Sequence, residues 1–274
     1  MSRAQLRAGL IGSRDGQTLP CMGRQVGSTA VAGVSVTPGA SNTPGAWTEL
    51  ITASAADAHY VTLNFINTYV STQAVPMLAD LAIGAAGSEV TIVSSIACGQ
   101  MNGVTVVLPL FVTAGSRVAI RLTTAYASPS AATIRCELDD RADRSGRRNP
   151  SKLVTMGATV GSSTGVAITS NDTWVEIISA TTEPFQGLMF SVTGNDASVT
   201  SSNGVFSLGV GTSGAEQVID TVPVSWNALE YYAAYTGGFY PVSGTFPKGT
   251  RIAAKTSTGV NNNIGVVVLG VPYT

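Results

Sequence analysis

The sequence contains one unit twice, and this internal repeat limits the folds that the chain can adopt. The segment WTELITA at 47–53 is followed 127 residues later by WVEIISA at 174–180. At the same spacing, LAIGAAGSE at 81–89 returns as LGVGTSGAE at 208–216. Each copy is long enough to bury its own core. The repeat therefore predicts two tandem domains of one fold, in which the shared residues serve architecture.

A third pair of segments shows where the two copies differ. GSRVA at 115–119 and GTRIA at 249–253 lie 134 residues apart, so the second copy carries a net insertion of seven residues before its third motif. The chain then divides into an N-terminal anchoring arm at 1–30, a first repeat at 31–138, a linker at 139–153 and a second repeat at 154–274. Eight linker residues are charged, which is typical of a solvated hinge or strap.

The spacing of short apolar stretches predicts an all-β fold. Stretches rich in Val, Ile and Ala recur about every 8 to 14 residues with Gly, Pro, Ser or Asn between them, which is typical of sandwiches and barrels. Strands this close leave no room for crossover helices. The expected strands are 47–53, 59–65, 77–83, 89–96, 104–111, 117–123 and 132–138, then 154–160, 174–180, 188–192, 206–210, 217–222, 238–242, 251–256 and 265–271. We expect two antiparallel β-sandwiches of jelly-roll-like topology, with an immunoglobulin-type sandwich as the alternative.

Charge is scarce in this chain. Only 15 basic and 16 acidic residues occur among 274, or 11%, against about 25% in ordinary soluble domains. Low charge favours a surface covered by partners. The net charge of −1 argues against general nucleic-acid binding. No run of 18 apolar residues occurs, so no membrane span is expected, and the N-terminus lacks the apolar centre of a signal peptide.

Sequence motifs that suggest catalysis lack the context that their chemistry needs. GVGTSG at 209–214 matches a dinucleotide-binding fingerprint, but another strand follows it, and the first copy has Ala82 at the first glycine. GSSTG at 161–165 matches a nucleophile elbow, but the one histidine, His59, comes earlier in the chain. A single histidine cannot form a zinc or iron cluster. We expect a non-enzymatic protein without catalytic residues, cofactor or metal.

Charged residues kept in both copies point to a structural role. They are Glu49 with Glu176, Glu89 with Glu216, Arg117 with Arg251, and Arg121 with Lys255. We expect a Glu–Arg pair to hold loops at one edge of each sandwich, and a glycan site is the alternative. The repeated set also includes Trp47 with Trp174, and the turn glycines Gly84 with Gly211 and Gly87 with Gly214, which are expected at positive φ.

The arm is the first candidate contact with partners. It carries Arg3, Arg7, Arg14, Arg24 and Cys21. It is too short and polar to bury a core, so we expect it to order on a partner, with a loose tail as the alternative. Three cysteines without a CxxC spacing form no disulfide framework. They are either small buried hydrophobes or, for Cys21, a bond to a neighbouring subunit.

The insertion in the second copy is the other candidate contact. Six of the chain's 18 aromatic residues lie at 226–240, namely Trp226, Tyr231, Tyr232, Tyr235, Phe239 and Tyr240. Tyr and Trp are favoured where a surface is half dry. Three roles are open for this cluster: a local core under a long loop, a contact between subunits, or a contact with a host receptor or surface glycan.

LAIGAAGSEV at 81–90, followed by LPLFVTAGSRVA at 108–119, resembles a pattern found in structural proteins of tailed bacteriophages. These are virion components built from repeated β-sandwiches. The resemblance covers both repeats but not the arm or linker, and the second copy departs from it with YPVSGTFPKGTRIA at 240–253.

The resemblance implies a particle component that is found in the virion, and in the host cytoplasm during assembly. Its partners would be other virion proteins of the capsid, collar or tail, and copies of itself, with a trimer as the first expectation. We favour a head decoration protein or head fibre. A tail or collar fibre that binds a receptor or glycan is the alternative.

Overall fold

The computed structural model describes residues 24–66, 69–70, 73–74, 77–98, 104–125, 131–140, 148–168, 170–194, 202–227, 232–233, 239–257 and 264–274. Within these residues every regular element is a β-strand. In chain order the strands are β1 (Gln25–Ser28), β2 (Val34–Val36), β3 (Thr48–Ile51), β4 (Tyr60–Ile66), β5 (Tyr69–Val70), β6 (Gln73–Ala74), β7 (Met77–Ile83), β8 (Val90–Ala97), β9 (Val104–Leu108), β10 (Val118–Thr124), β11 (Ala132–Asp139), β12 (Val154–Met156), β13 (Val166–Ile168), β14 (Val175–Ile178), β15 (Phe185–Gly194), β16 (Ser202–Val210), β17 (Gln217–Asn227), β18 (Tyr232–Ala233), β19 (Tyr240–Phe246), β20 (Ile252–Thr256) and β21 (Ile264–Pro272).

The strands form two sandwiches of the same topology. In the first, a sheet of order β1-β11-β4-β9, with β2 also beside β11, faces a sheet of order β3-β10-β7-β8. In the second, β12-β21-β15-β19, with β13 beside β21, faces β14-β20-β16-β17-β18. Strand pairing within these sheets is antiparallel. The predicted fold class, two tandem antiparallel jelly-roll-like sandwiches, is confirmed.

Alternating side chains explain the first core. On β4, Val61, Leu63 and Phe65 are fully buried while the residues between them are half-buried. Successive side chains of a strand point to opposite faces, so one face of the sheet packs inward and the other carries polar residues. On β11 the outward side chains include Arg135 and Glu137, whose charged groups lie 3.8 Å apart.

The last strand is buried on both faces. On β21, Val266 and Val268 belong to the second core, whereas Val267 and Leu269 pack with the core of the first sandwich. This strand lies between β15 and the pair β12 and β13. The continuous apolar sequence of β21 is typical of a central strand that is covered on both faces. The two sandwiches are therefore packed against each other along β8, β12, β15 and β21.

The boundary expected between the arm and the first repeat falls too late. Residues 25–28, assigned to the arm from the sequence, form β1, which pairs with β11 through Gln25 and Asp139 and through Ser28 and Glu137. Val26 is buried in the first core. The segment QVGS is too short to show a strand period, and Gly27 lies at a register shift. The first sandwich thus begins at about residue 25.

The end of the linker packs against protein, so the expectation of a solvated hinge is wrong for it. Pro150 is buried, and its carbonyl accepts a hydrogen bond from the Phe111 amide. The Arg148 guanidinium lies 4.3 Å from the Phe111 ring centroid. Leu153 is buried in the first core and its amide donates to the Ile92 carbonyl. Residues 148–153 act as a strap, while 141–147 lie outside the described residues.

Candidate functional site

An arginine joins two glutamates and a turn in the first sandwich. Arg117 Nε donates to Glu49 Oε2 at 2.7 Å, and its Nη1 donates to Glu89 Oε1 at 3.0 Å and to the Gly84 carbonyl at 3.2 Å. Glu89 Oε2 accepts from the Gly87 amide at 2.9 Å. One guanidinium thus ties β3 to the β7–β8 turn. Gly84 and Gly87 have φ of 118° and 82°, which confirms the positive φ predicted for them.

The second sandwich repeats the same cluster. Arg251 Nε lies 2.8 Å from Glu176 Oε2, and its Nη1 lies 2.8 Å from Glu216 Oε1 and 3.2 Å from the Gly211 carbonyl. Gly211 and Gly214 have φ of 121° and 83°, as predicted. In each sandwich the repeated arginine and its two glutamates hold a turn in place. Each of these carboxylates accepts at least one hydrogen bond.

Hydrogen bonds lower the pKa values of Glu49, Glu89 and Glu216. Bonds from the Thr52 hydroxyl and then from Arg117 lower the pKa of Glu49. Backbone N–H groups and Arg117 lower the pKa of Glu89 although burial opposes this. Burial is the largest single influence on Glu216 and raises its pKa, but backbone and arginine bonds together outweigh it and lower the pKa.

A tryptophan beside each cluster carries a cation. Arg121 lies 4.5 Å from the Trp47 ring centroid, and Lys255 lies 5.0 Å from the Trp174 ring centroid. A Cβ on Gly209 would come within 2.6 Å of the Trp174 ring. Gly209, the first glycine of the dinucleotide-like motif, is therefore explained by its close packing against the Trp174 ring and needs no phosphate to account for it.

One buried acid distinguishes the two copies. Asp80 is 3% exposed, and its Oδ2 accepts from Arg121 Nε and from the Gly161 amide, both at 3.0 Å. Its Oδ1 accepts from the Ser95 amide at 3.0 Å. Gly161 belongs to the second sandwich, so this carboxylate joins the two sandwiches. The position 127 residues later is Ser207, whose hydroxyl lies 3.4 Å from that of Thr221 in its own sheet.

Further hydrogen bonds surround Asp80 at the junction. Ser95 has a φ of 59°, in the left-handed region, and its hydroxyl donates to the Thr159 carbonyl at 2.9 Å. Ser94 Oγ lies 2.9 Å from Thr155 Oγ1. The Ser163 hydroxyl donates to Asn42. Sequence reasoning did not identify this junction. The sequence feature that could have indicated it is Asp80, a carboxylate within the apolar strand β7 that has no acidic counterpart in the second copy.

A cleft of about 650 Å³ also lies between the sandwiches. The first sandwich lines it with Tyr60, Thr105, Val107 and Pro109, and the second with residues that include Met189, Phe239, Tyr240 and Ser243. All fourteen lining residues are uncharged. Its volume is in the range of small-molecule and peptide-segment sites. The cleft is the candidate binding site of the described residues.

Two of the six predicted aromatic contacts reach this cleft. Phe239 lines it and packs against the first core. The Tyr240 ring stacks on Phe190 at a centroid distance of 5.2 Å, so it extends the second core to the cleft wall. In the backbone pairing of β17 with β18, Trp226 lies beside Ala233 and Tyr232 lies beside Asn227. Tyr231 and Tyr235 lie outside the described residues.

The candidate arm residues are not brought together by the described structure. Arg3, Arg7, Arg14 and Cys21 lie outside the described residues. Arg24 stands at the edge of the first sandwich, where its amide donates to Asp140 and its guanidinium lies 3.7 Å from that carboxylate. Arg24 therefore lies where the described chain enters the first sandwich, and its side chain is 74% exposed.

The two described cysteines are buried, and the histidine packs against an aromatic ring. Cys98 and Cys136 are buried free thiols. Burial raises the pKa of Cys98 far above its ordinary value and that of Cys136 to about 12. His59 packs edge-on against Phe111 at 5.4 Å, and its Nδ1 is buried without a partner. Across the described ranges, no group of three potential metal ligands occurs, and no helix has the length and apolarity to cross a membrane.

Comparison with known proteins gives likenesses of fold only. No protein-family model matches the sequence, and no curated protein matches it. The STIV MCP, a viral major capsid protein, aligns over 91% of this chain and 96% of its own, with 12% identity and a TM-score of 0.42. PNGF-II aligns over 92% of this chain and 66% of its own, with 9% identity and TM-scores of 0.45 and 0.43 in two crystal forms. At these values neither neighbour identifies a function for this chain.

Proposed function

We propose that this chain is a non-enzymatic structural component of a bacteriophage particle, with head decoration or head fibre as the favoured role. The observation that carries the proposal is the repeated arginine cluster. In both sandwiches the charges that survive duplication bind one another and a turn, at Arg117 and Arg251. Charged side chains that bind one another and a turn support a structural role rather than a catalytic one.

The junction between the sandwiches supports the same role. Asp80 is bonded from both sandwiches, and apolar residues of the second sandwich complete the first core. Two domains joined by buried contacts present one surface of fixed shape, which is what repeated docking on a particle requires. The scarcity of charge fits a surface that packs against neighbours.

Attachment through the N-terminal arm is part of this proposal. Arg3, Arg7 and Arg14 lie in residues 1–23, ahead of the first described strand. Deletion of residues 2–23 is therefore the appropriate test, because deletion to residue 28 would also remove β1. We expect the truncated chain to fold but not to cosediment with purified particles, whereas the full chain does. Attachment of the truncated chain at full stoichiometry would contradict an anchoring arm.

Presence in the particle is the direct test of the proposed function. Virions purified on a density gradient should contain the chain at a fixed ratio to the major capsid protein, measured by quantitative mass spectrometry. Recovery only in the unassembled lysate fraction would contradict the proposal. Light scattering on the purified chain distinguishes a head fibre from a decoration protein. A discrete oligomer, with a trimer as first expectation, favours a fibre. A chain that is monomeric in solution and assembles only on particles favours decoration.

A receptor- or glycan-binding module of a tail or collar fibre is the second candidate. The observation that favours it is the uncharged cleft, whose wall includes Tyr60, Phe239 and Tyr240, because sugars stack on aromatic faces. Glycan-array binding that is lost in a Tyr60→Ala variant with an unchanged melting temperature would support it. An array without binding by either the full chain or the chain that lacks residues 2–23 would exclude this function for the cleft.

A further inference from the structure

The cleft has walls suited to an uncharged, partly apolar chain segment. Val107 on β9 is 49% exposed there, although it is a valine between two buried neighbours of its strand. Both β9 and β19 contribute to the lining, and both are edge strands of their sheets among the described strands. Edge strands offer backbone donors and acceptors to an added segment.

The described chain begins close to this cleft. Across the first sheet, Gln25 on β1 pairs with Asp139 on β11, and Asp139 pairs with Tyr60 on β4. On the neighbouring strand β9, Leu108 pairs with Val61, so Pro109 comes next to Tyr60. Strands lie roughly 4.8 Å apart. Gln25 is therefore about 10 Å from Tyr60 and about 14 Å from Pro109, and both of these residues line the cleft.

The sequence just before Arg24 matches the cleft in chemistry. Residues 16–23 read GQTLPCMG, eight residues without a charge, and they include the apolar run from Leu19 to Met22. The charged residues of 1–23, the last of which is Asp15, all precede this segment, and Arg24 follows it. Eight extended residues span up to about 26 Å, which is more than the separation between Gln25 and the cleft walls.

We propose that residues 16–23 occupy the cleft of their own chain. Their own cleft is favoured over a neighbour's because the short tether to Arg24 gives an effective concentration on the order of millimolar. The basic part of the arm, with Arg3, Arg7 and Arg14, then leaves the molecule from a defined place at the junction of the sandwiches. This inference is independent of the proposed function, since it concerns the free chain.

Thiol protection in the full chain tests this. In a Cys21→Ser background the remaining native thiols, Cys98 and Cys136, are buried. Val107→Cys places a reporter in the cleft, and Ser35→Cys places a control thiol at an exposed position of β2. Leu19→Asp with Met22→Asp adds charge to the segment. We expect these charges to speed the labelling of Val107→Cys by roughly tenfold or more and to leave Ser35→Cys unchanged.

Equal labelling of Val107→Cys with and without the two aspartates would overturn the proposal. A second measurement identifies the donor chain, with Cys21 restored and Val107→Cys kept. Oxidation should give a bond within one chain, seen as a monomer on non-reducing gels with both thiols lost. A dimer band would assign the cleft to a neighbour's arm and would overturn the assignment to the same chain.

Discussion

Arginine is needed at the centre of both loop clusters because of its shape. Arg117 and Arg251 each direct Nε to one glutamate, and Nη1 to a second glutamate and a carbonyl. A lysine ammonium is a point donor on a flexible stem and cannot hold these groups in one plane. The turn at Gly84 or Gly211 depends on this planar geometry, because the glycine carbonyl is one of the acceptors.

Lysine at either position should therefore loosen the turn. We expect Arg117→Lys and Arg251→Lys each to lower the melting temperature by roughly 3–6 °C, measured by differential scanning calorimetry. Arg135→Lys is the matched control, because Arg135 makes one half-exposed contact at 3.8 Å with Glu137, and such pairs contribute little. A fall as large in the control as in the clusters would contradict the role given to the guanidinium.

Acid should weaken both clusters. The pKa values of Glu49, Glu89 and Glu216 are lowered in the fold below the ordinary 4.5. A lowered carboxylate pKa contributes stability that is fully present above the unfolded value and is lost as the pH falls through the folded one. The melting temperature should hold above about pH 5 and fall below pH 4.5. A Glu89→Gln, Glu216→Gln double variant should show a smaller fall, and an identical profile would contradict this linkage.

The first strand decides where the arm can be cut. β1 buries Val26 and continues the sheet beside β11. We expect deletion of residues 2–23 to lower the melting temperature by about 2–4 °C at most, through loss of the docked segment 16–23. Deletion of residues 2–28 should lower it by roughly 5 °C more, because a buried valine and a row of backbone bonds are also lost. Circular dichroism melts of both proteins measure this. Equal melting of the two truncated chains would mean that β1 is not part of the folded unit.

Strand length separates the elements that could be predicted from those that could not. The apolar stretch at 77–83 matches β7 at both ends, because seven residues between turn signals leave little freedom. Strands β1, β2 and β13 have three or four residues, too few to display a period of two. They form because a long neighbour, β11 or β21, offers them backbone partners.

The same distinction holds for the candidate sites. The partners of Arg117 could be inferred because the same residue types recur in the second copy, as Glu176, Glu216 and Arg251. The role of Asp80 could not, because its distant partner Gly161 lies 81 residues away in the other sandwich and contributes only a backbone amide. No sequence pattern marks an amide as an acceptor's partner. The cleft was equally hidden, since its walls come from strands of both sandwiches.

At the level of the whole molecule, Asp80 should decide whether the sandwiches unfold together. Asp80→Ala removes one acceptor from three donors, and leaves Arg121 half-buried without its carboxylate. We expect a loss of about 2–4 kcal/mol and the appearance of two calorimetric transitions in place of one. Ser207→Ala at the corresponding position should change stability by less than about 0.5 kcal/mol. A single transition with unchanged stability in Asp80→Ala would contradict the junction described.

The outward faces of the long strands β11 and β21 make the two repeats different. On β21 the side chains that point away from their own core are Val267 and Leu269, and they need the first sandwich to cover them. On β11 the outward side chains are Arg135 and Glu137, which meet solvent. The duplicated halves are consequently no longer interchangeable. Each half is therefore specific to its own side of the interface: the second presents the apolar strand face, and the first covers it.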